Sequence, residues 1–336
     1  MDSNSSILSI ESSCDDSSIA VTRINDYKIL FHQKISQDLE HSNYGGVVPE
    51  IASRLHAVIL PKILCNIKRE NINFSDIAGI AVTNEPGLSV SLIEGVMMAK
   101  ALHLSLKAPL LNINHLKGHI YSLFLEKDSI FPLAILLLSG GHTLIMEAHS
   151  YDDIRIFAST LDDSFGEAFD KVAKMLSLGY PGGPIIESRA KNGKDNITFP
   201  VPLIHNKELA FSFSGLKNAV RLFLQNKNID DDLIDDICFA FQKSAITHII
   251  KKSRIYLESS AKNIRYFGVV GGASANMALR DSLVLLCSDY DKEILFAPLE
   301  FCSDNAAMIG RCGIEAYKLR KFIDINNLDV SPKSRF

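Results

Sequence analysis

Two segments of this chain share one pattern of apolar and polar positions. Residues 7–21 and 133–146 each begin with an aliphatic run, pass through a short turn rich in Ser, Gly or Asp, and return as a second aliphatic run. Such a pattern predicts a β-hairpin whose turn amides can point at an anion. Its use twice predicts a duplicated two-lobe α/β protein with a nucleotide or phosphate between the lobes, although strand-turn-strand units also occur in many unrelated folds.

Helical and strand-like patterns alternate through the rest of the chain. Apolar residues at helical spacing predict helices over residues 49–67, 90–106, 165–176, 235–259 and 275–287, and compact apolar runs predict strands over residues 77–83 and 266–270. This alternation is typical of an α/β protein. The segment 193–213 contains Pro200 and Pro202 and has little periodicity, and its length predicts a functional loop.

Length and composition favour a globular protein of two domains. The 336 residues exceed what one hydrophobic core usually supports, and 47% hydrophobic with 22% charged residues excludes a disordered chain. No apolar run is long enough to span a bilayer and the amino terminus lacks a signal-peptide pattern, so we expect a cytoplasmic protein with no membrane partner. The six cysteines include no Cys-x-x-Cys pair, which predicts reduced thiols.

The overall charge does not indicate a nucleic-acid-binding protein. The net charge is -4 at pH 7, so any contact with RNA must be local. Two basic clusters, residues 251–254 and 318–321, could provide such a contact, or they could simply be the solvated face of a helix.

A pair of histidines is the strongest candidate for metal binding. His115 and His119 are four residues apart, so a helix would place both imidazoles on one face, as a zinc or iron(II) site requires. A third ligand must come from elsewhere, and the best placed by context is Asp304, in a polar turn before a stretch of small residues. The alternative is a pair of partly buried or exposed imidazoles that bind no metal.

Glycine-rich turns could bring the backbone close to a ligand. Four of them, predicted to lie between a strand and a helix, are residues 84–87, 180–184, 213–217 and 270–276. The last could hold a phosphate, ribose or adenine at a helix amino terminus, with a hydrogen bond from Asn276. The Asp170 carboxylate could accept hydrogen bonds from ribose hydroxyls. Asp162 or Asp163 is expected to cap the helix that contains Asp170. Tight turns alone would also explain the glycines, and neither a P-loop nor a Rossmann fingerprint is present.

Together these motifs resemble those of the TsaD/Gcp family of tRNA threonylcarbamoyladenosine transferases, and most closely its bacterial members. The resemblance covers almost the whole chain. The matching segments are residues 10–16, 44–50, 52–56, 115–119, 138–143, 166–171, 180–184, 211–217, 271–276 and 301–305.

The resemblance implies a fold, a reaction and partners. The fold is the two-lobe ASKHA fold shared by actin, heat-shock ATPases and sugar kinases, with a ligand cleft between one lobe of residues 1–130 plus 303–336 and another of residues 131–302. The reaction is acyl transfer of the threonylcarbamoyl group from threonylcarbamoyl-AMP to N6 of the adenosine 3′ of the anticodon, in tRNAs reading codons that begin with adenine. The partners are tRNA, a paralogous TsaB-like subunit, a TsaE-like ATPase that uses ATP, and an upstream TsaC-like synthase that makes the adenylate.

The same resemblance implies roles for individual residues. One iron(II) or zinc ion would be bound by His115, His119 and Asp304. The adenylate would be held by Leu137, Leu138, Ser139, Gly140, Gly141, Asp170, Gly183, Glu187 and Asn276. Asp15 and Asp16 lie in the first predicted hairpin turn, and our hypothesis is that one of them orients the attacking amine or takes its proton.

The chain departs from the family pattern at two positions. Glu85 stands before Pro86 where the family usually has Gly, and Asp16 stands where Glu is commoner. The first change could narrow a cleft or alter a partner surface, and the second shortens the reach of a carboxylate. Neither change removes a predicted metal ligand.

Two other functions remain as alternatives. A metallopeptidase of the zincin type would need Glu directly after the first histidine as general base, whereas this chain has Leu116 there. A non-catalytic nucleotide-binding regulator could share the actin-like fold without the transfer chemistry. The predicted ligands His115, His119 and Asp304 favour the enzyme.

Overall fold

The computed structural model describes residues 4–70, 72–225, 227, 230–261 and 263–334. The chain divides into two compact units, Met1–Ile130 with Ala297–Phe336, and Phe131–Phe296. The chain thus returns to the first unit at Ala297, whereas the sequence predicts that it returns after Cys302. Residues 297–302 belong to the first unit, where the ring centroid of Phe301 lies 5.3 Å from that of His32 on the third strand.

Strands and helices alternate as the sequence pattern predicts. The strands are Ser6–Glu11 (β1), Asp16–Arg23 (β2), Ile29–Ser36 (β3), Ile77–Glu85 (β4), Leu110–Asn114 (β5), Leu133–Leu138 (β6), Thr143–Ala148 (β7), Ile154–Thr160 (β8), Ala210–Phe211 (β9), Tyr266–Val270 (β10) and Glu293–Phe296 (β11). The α-helices are Asp38–Ser42 (α1), Pro49–Ile67 (α2), Ser89–Leu106 (α3), His115–Tyr121 (α4), Phe165–Met175 (α5), Gly182–Ala190 (α6), Ser214–Leu224 (α7), Asp231–Ser259 (α8), Met277–Asp289 (α9) and Ala306–Lys318 (α10).

Among the described residues, the first unit contains a five-stranded sheet in the order β3-β2-β1-β4-β5. β1, β2 and β3 pair antiparallel, and β4 and β5 continue the sheet parallel to β1. The central strand β1 is buried along its whole length. Leu8 and Ile10 pack in the core with α2 and α3, while Ile7 and Ser9 lie against Gly313 and Gly310 of α10. The sheet is therefore covered by helices on both faces, which explains the nearly continuous apolar run.

Helix α3 is long and apolar enough, by length and composition alone, to cross a membrane. It packs against β4 and α2, and its buried positions include Leu92, Val96 and Ala99. A helix of a globular unit satisfies the same criterion of length and composition, and one face of α3 is buried in the core of the first unit.

The second unit repeats the arrangement of the first. Within its described residues it contains a six-stranded sheet in the order β11-β10-β6-β7-β8-β9. β6, β7 and β8 pair antiparallel, and β10 and β11 continue parallel to β6. Apart from the short strand β9, the order β8-β7-β6-β10-β11 matches β3-β2-β1-β4-β5 strand for strand. The predicted duplicated α/β fold with two hairpins is confirmed.

Two local predictions were wrong. Residues 180–184 join α5 to α6, so this Gly-rich turn connects two helices rather than a strand and a helix. The cap of α5 is Ser164, whose Oγ accepts from the backbone N–H of Glu167 at 3.1 Å. Neither predicted cap is available, because Asp162 accepts from the backbone of the segment before α7 and Asp163 accepts from Lys171 at 2.6 Å.

Candidate functional site

The candidate metal group is built on α4, which begins directly after β5. The Asn114 side chain caps this helix, since its Oδ1 accepts from the backbone N–H groups of Leu116 at 2.9 Å and Lys117 at 3.2 Å. One helical turn brings the rings of His115 and His119 to a centroid separation of 4.6 Å. Both rings are buried, and the predicted helical spacing of the two histidines is confirmed.

Asp304 reaches this pair from the loop before α10. Its Oδ1 lies 3.4 Å from Nε2 of His115 and 3.2 Å from Nε2 of His119. Helix α4 can lie this close to α10 because Gly118 has no side chain: a Cβ there would be 2.6 Å from Cδ1 of Ile309. One ligand atom from each of the three residues lies within 4.8 Å of the others, so the fold brings together the three residues that the resemblance implied.

A fourth polar residue, Glu11 at the end of β1, belongs to the same group and was not singled out by the sequence pattern. Its buried carboxylate accepts from the Ser13 backbone N–H and from the Thr83 hydroxyl, both at 2.6 Å, and lies 3.1 Å from Nδ1 of His115. A contact to Nδ1 directs Nε2 of His115 toward Asp304. Metal-binding histidines are commonly oriented in this way, by a residue that binds the ring nitrogen opposite the metal. The available signal was an acid that directly follows the first aliphatic run of the predicted hairpin.

Burial and neighbouring charges together set the protonation of this group. Burial lowers the pKa of His115, but the carboxylates of Asp304 and Glu11 outweigh it and hold that pKa well above its usual range. Burial raises the pKa of Asp304, and the charge of His115 more than reverses this, so that the carboxyl is ionised. Burial lowers the pKa of His119, and its ring is therefore neutral at pH 7.

The donor set fits a divalent metal ion. His119 is fully buried, its Nε2 faces Oδ1 of Asp304 at 3.2 Å, and its Nδ1 makes no hydrogen bond to a described residue. Nε2 of both histidines lies within 3.4 Å of Oδ1 of Asp304, so the donor atoms converge on one point, as the ligands of a divalent metal ion do. Two imidazoles and one carboxylate suit zinc and iron(II) alike, and the structure shows a His-His-Asp group that could bind either.

Asp15 ends the hairpin turn between β1 and β2 and Asp16 begins β2, and both lie beside this group. The Lys34 ammonium donates to Oδ2 of Asp16 at 3.0 Å and to Oγ of Ser303 at 2.7 Å, and so joins the turn to the loop that supplies Asp304. Burial raises the pKa of Asp16 to about 7 despite Lys34, and burial also raises the pKa of Asp15. A carboxylate with a pKa near neutrality is suited to exchanging a proton at physiological pH.

The residues predicted to hold an adenylate begin at the carboxyl end of β6. Leu137 and Leu138 end this strand, and Ser139, Gly140 and Gly141 form the turn to β7. A Cβ on Gly166 would lie 2.7 Å from the Ser139 carbonyl oxygen, so the amino terminus of α5 closely approaches the turn. Gly271, with a φ of 92°, approaches it from the carboxyl end of β10.

Two acids link the helices around this turn. Oδ1 of Asp170 on α5 accepts from the backbone N–H of Gly182 at 2.8 Å, and Oε1 of Glu187 on α6 accepts from the backbone N–H of Met277 at 2.7 Å. These bonds connect α5, α6 and the amino terminus of α9. The fold thus gathers the predicted adenylate residues of α5, α6 and α9 in one region of the second unit.

Asn276 and Gly183 complete this region. The Asn276 side chain caps α9, accepting from Leu279 N at 2.9 Å, and donates to Oε1 of Gln242 at 2.7 Å. A Cβ placed on Gly183 would meet nothing within 4 Å, so the backbone there borders open space. A contact of these residues with a nucleotide stays a prediction.

Two residues of the basic cluster at residues 251–254 are engaged inside their own unit. Lys252 is fully buried and donates to the carbonyls of Asn206 at 2.9 Å and Glu208 at 2.7 Å. Arg254 lies 3.5 Å from Asp289. The buried lysine anchors the long loop before β9, which weakens the interpretation of this cluster as an RNA contact.

Comparison of the sequence with known proteins gives one consistent result. The family model described as TsaD, tRNA N6-adenosine threonylcarbamoyltransferase, matches residues 28–311. A protein of that name from Nitratiruptor sp. is 58% identical over 98% of this chain and 99% of its own length. Another from Helicobacter pylori is 56% identical over 98% of each chain.

Solved structures with low sequence identity share the fold. HypF from T. kodakarensis matches with a TM-score of 0.62 and 14% identity, over 97% of this chain and 49% of that chain. The activator of 2-hydroxyisocaproyl-CoA dehydratase from Clostridium difficile matches with a TM-score of 0.54 and 13% identity, over 95% of this chain and 98% of that one. The fold class is therefore the actin-like ASKHA class.

Proposed function

The chain belongs to the TsaD family of tRNA N6-adenosine threonylcarbamoyltransferases, and from this premise we propose the reaction it performs. The threonylcarbamoyl group of threonylcarbamoyl-AMP is transferred to N6 of the adenosine 3′ of the anticodon, in tRNAs reading codons that begin with adenine. The products are N6-threonylcarbamoyladenosine and AMP. The observation that carries the proposal is the His115, His119 and Asp304 group in a chain of this family.

The metal-binding role of that group is part of the proposal. One iron(II) or zinc ion held by His115, His119 and Asp304 would supply a Lewis acid and a template for the threonylcarbamoyl group. Glu11 keeps His115 in the orientation that presents Nε2. The convergence of both Nε2 atoms on Oδ1 of Asp304 supports this role.

The second unit holds the adenylate in this proposal. Backbone N–H groups of the turn formed by Ser139, Gly140 and Gly141 would donate to the phosphate, because glycines allow an anion to approach the backbone closely. Asp170, Gly183, Glu187 and Asn276, with the end of β6 at Leu137 and Leu138, would contact the nucleoside. The support is their collection in one region of the unit. Fixing the donor in this way removes much of the entropic barrier to a reaction between two substrates.

In this proposal, either Asp15 or Asp16 acts on the attacking amine. In the transfer, the N6 nitrogen forms a bond to the carbamoyl carbon, the bond from that carbon to the phosphate oxygen of AMP breaks, and one amine proton is released. We assign the orientation of the amine, or acceptance of that proton, to one of these carboxylates. The neighbouring Lys34 holds Asp16 in place.

Substitution of each aspartate tests this role. Asp15→Asn and Asp16→Asn remove the carboxylate with little change in size, and the responsible residue's variant should lose most of its transfer rate while binding the adenylate nearly as well as wild type. Single-turnover transfer and equilibrium binding of the adenylate measure the two effects. An equal loss of both in each variant would contradict the assignment.

The partners and location follow from the family and are proposed on that basis. We expect tRNA, a TsaB-like paralogue, a TsaE-like ATPase and a TsaC-like synthase, all in the cytoplasm. The net charge of -4 supports the need for other subunits in binding tRNA, since the chain alone carries no excess of positive charge.

Transfer of labelled threonylcarbamoyl from its adenylate to unmodified tRNA tests the whole proposal. The full chain is assayed with its bacterial partner subunits, as wild type, as His115→Ala and as His149→Ala, an exposed-histidine control in the second unit. Product from wild type and the control, with none from His115→Ala and with metal lost from that variant, is the expected result. No product from wild type, with partners of proven activity, would favour a nucleotide-binding regulator.

The metallopeptidase alternative has little support in the site. The residue after His115 is Leu116, which is 2% exposed and has no acid or base to offer. A zincin needs Glu at that position. Hydrolysis of a peptide substrate by the purified chain, lost in His115→Ala, would revive this alternative.

A further inference from the structure

A buried histidine outside the metal group contacts both ends of the turn that carries Asp15 and Asp16. His56 lies on α2 and has no exposed surface. Its Nε2 is 2.9 Å from the carbonyl oxygen of Cys14, directly before Asp15, and its Nδ1 is 2.7 Å from the hydroxyl oxygen of Ser17, directly after Asp16. The two carboxylates therefore lie on a segment whose flanking residues are both bound by one imidazole.

The hydrogen bonds define one tautomer of His56. The Cys14 carbonyl can only accept, so Nε2 carries the ring proton, and Nδ1 accepts from the Ser17 hydroxyl. Burial lowers the pKa of His56, which keeps the ring neutral at pH 7. The Gln37 amide nitrogen lies 3.4 Å from Nδ1 of His56 and 3.4 Å from Oγ of Ser17. Both ring nitrogens are thus satisfied in a single orientation.

We propose that His56 is a positioning residue for the transfer step, because it fixes the turn that presents Asp15 and Asp16. The inference rests on the proposed function and names a residue whose hydrogen bonds go to Cys14, Ser17 and Gln37, none of them a predicted metal ligand or adenylate residue. Correct placement matters, since a displacement of about 1 Å can cost on the order of 100-fold in rate. The prediction is a fall in kcat without a matching change in the KM for the adenylate.

Three variants of the full chain, assayed with the partner subunits, separate positioning from stability. His56→Leu removes both hydrogen bonds, and His56→Gln retains a side-chain donor for the Cys14 carbonyl. His103→Leu is the matched control, because Nδ1 of His103 makes a bond of the same kind to the Ala108 carbonyl at 2.8 Å on α3. Single-turnover rate, KM, metal content and hydrogen exchange of the Cys14, Asp15 and Asp16 amides are measured for each.

The expected result is a kcat about 10- to 100-fold lower for His56→Leu, with metal content unchanged, KM unchanged within about twofold and faster exchange at the turn. His56→Gln should recover most of the rate, and His103→Leu should transfer like wild type. A folded, metal-loaded His56→Leu protein with the wild-type rate would overturn the proposal. An equal loss in His103→Leu would also overturn it, because the effect would then be one of general stability.

A milder variant keeps the test decisive if His56→Leu fails to fold. Ser17→Ala removes one of the two bonds and should raise hydrogen exchange at the turn and lower kcat severalfold, and no change in either would overturn the proposal. Failure of the proposed function gives a different result. In that case wild type itself does not transfer, and the exchange measurement alone decides whether His56 holds the turn.

Discussion

At the scale of single residues, the candidate site depends on buried polar groups whose partners come from distant parts of the chain. His115 lies 3.1 Å from Glu11, which is 104 residues away in sequence, and 3.4 Å from Asp304. The spacing of His115 and His119 is also compatible with two imidazoles that bind no metal. Their burial beside an ionised carboxylate favours metal binding, because buried imidazoles need partners for their nitrogens.

Replacing Glu11 tests the role of the second partner in metal binding. Glu11→Gln keeps the size of the side chain but removes the charge opposite Nδ1 of His115, and we expect metal affinity to fall about 10- to 100-fold. Competition with a chromogenic chelator measures the affinity. Glu147→Gln, which changes a buried acid of β7 bound to the Tyr256 hydroxyl, should bind metal like wild type. An unchanged affinity in Glu11→Gln would show that His115 needs no such partner.

At the scale of elements, a short helix presents the two histidines. Helix α4 has seven residues, fewer than an isolated helix needs for stability in water. It is held by the Asn114 cap and by packing against α10 at Gly118. Asn114 also donates to Glu85 at 3.1 Å and to Ser334 at 2.8 Å, so the acid that departs from the family pattern helps to hold the cap.

Removing the cap of α4 should weaken both the fold and the metal group. Asn114→Ala is expected to lower the free energy of unfolding by about 1 kcal/mol and to weaken metal binding, because the first turn of α4 carries His115. Denaturant unfolding and chelator competition measure the two effects. Asn73→Ala removes a cap bond of 3.1 Å to Ser75 in another part of the first unit. That control should lose stability without losing metal affinity, and a matching loss of affinity would contradict the explanation.

The anchor of the long loop gives a second prediction at this scale. Lys252→Met removes a buried ammonium that donates to two loop carbonyls, and trypsin cleavage after the exposed Lys207 should become faster, by about 10-fold, because the loop opens more often. Lys251→Met changes the neighbouring lysine, for which no such bond is observed, and should be cleaved like wild type. Equal cleavage rates in the two variants would show that Lys252 does not anchor the loop.

At the scale of the whole molecule, the second unit is one continuous segment, whereas the first unit is built from both ends of the chain. The core of the second unit is formed entirely by its own residues. The first unit needs α10, whose Met308, Ile309 and Ile314 are fully buried. Burial of such side chains contributes roughly 1.5–3 kcal/mol each, and their loss approaches the whole net stability of a domain, about 5–15 kcal/mol.

Two fragments test this difference between the units. A chain of residues 131–296 should fold alone and unfold cooperatively on heating, whereas residues 1–130 alone should lack a cooperative transition because β1 and β2 have lost α10. Circular dichroism and calorimetry follow the transitions. A cooperative transition in the fragment of residues 1–130 would show that α10 is dispensable for the fold of the first unit.

Features that depend on near neighbours along the chain follow from the sequence. These are the two hairpins, the alternation of strands and helices, and the placement of His115 and His119 on one face of a helix. Periodicity of apolar residues and helical geometry set these features within a few residues of chain. Family motifs added the reaction and the adenylate residues, whose roles remain predictions.

Which polar residues meet depends on how distant elements pack in the folded chain. Glu11 became a partner of His115, Lys34 joined the Asp16 turn to the loop of Asp304, and Lys252 became a buried anchor rather than a surface cation. Ser164 replaced the predicted acids as the cap of α5. The physical reason is that a buried polar group is stable only where another element supplies its hydrogen-bond partner, and sequence spacing does not encode which distant element will do so.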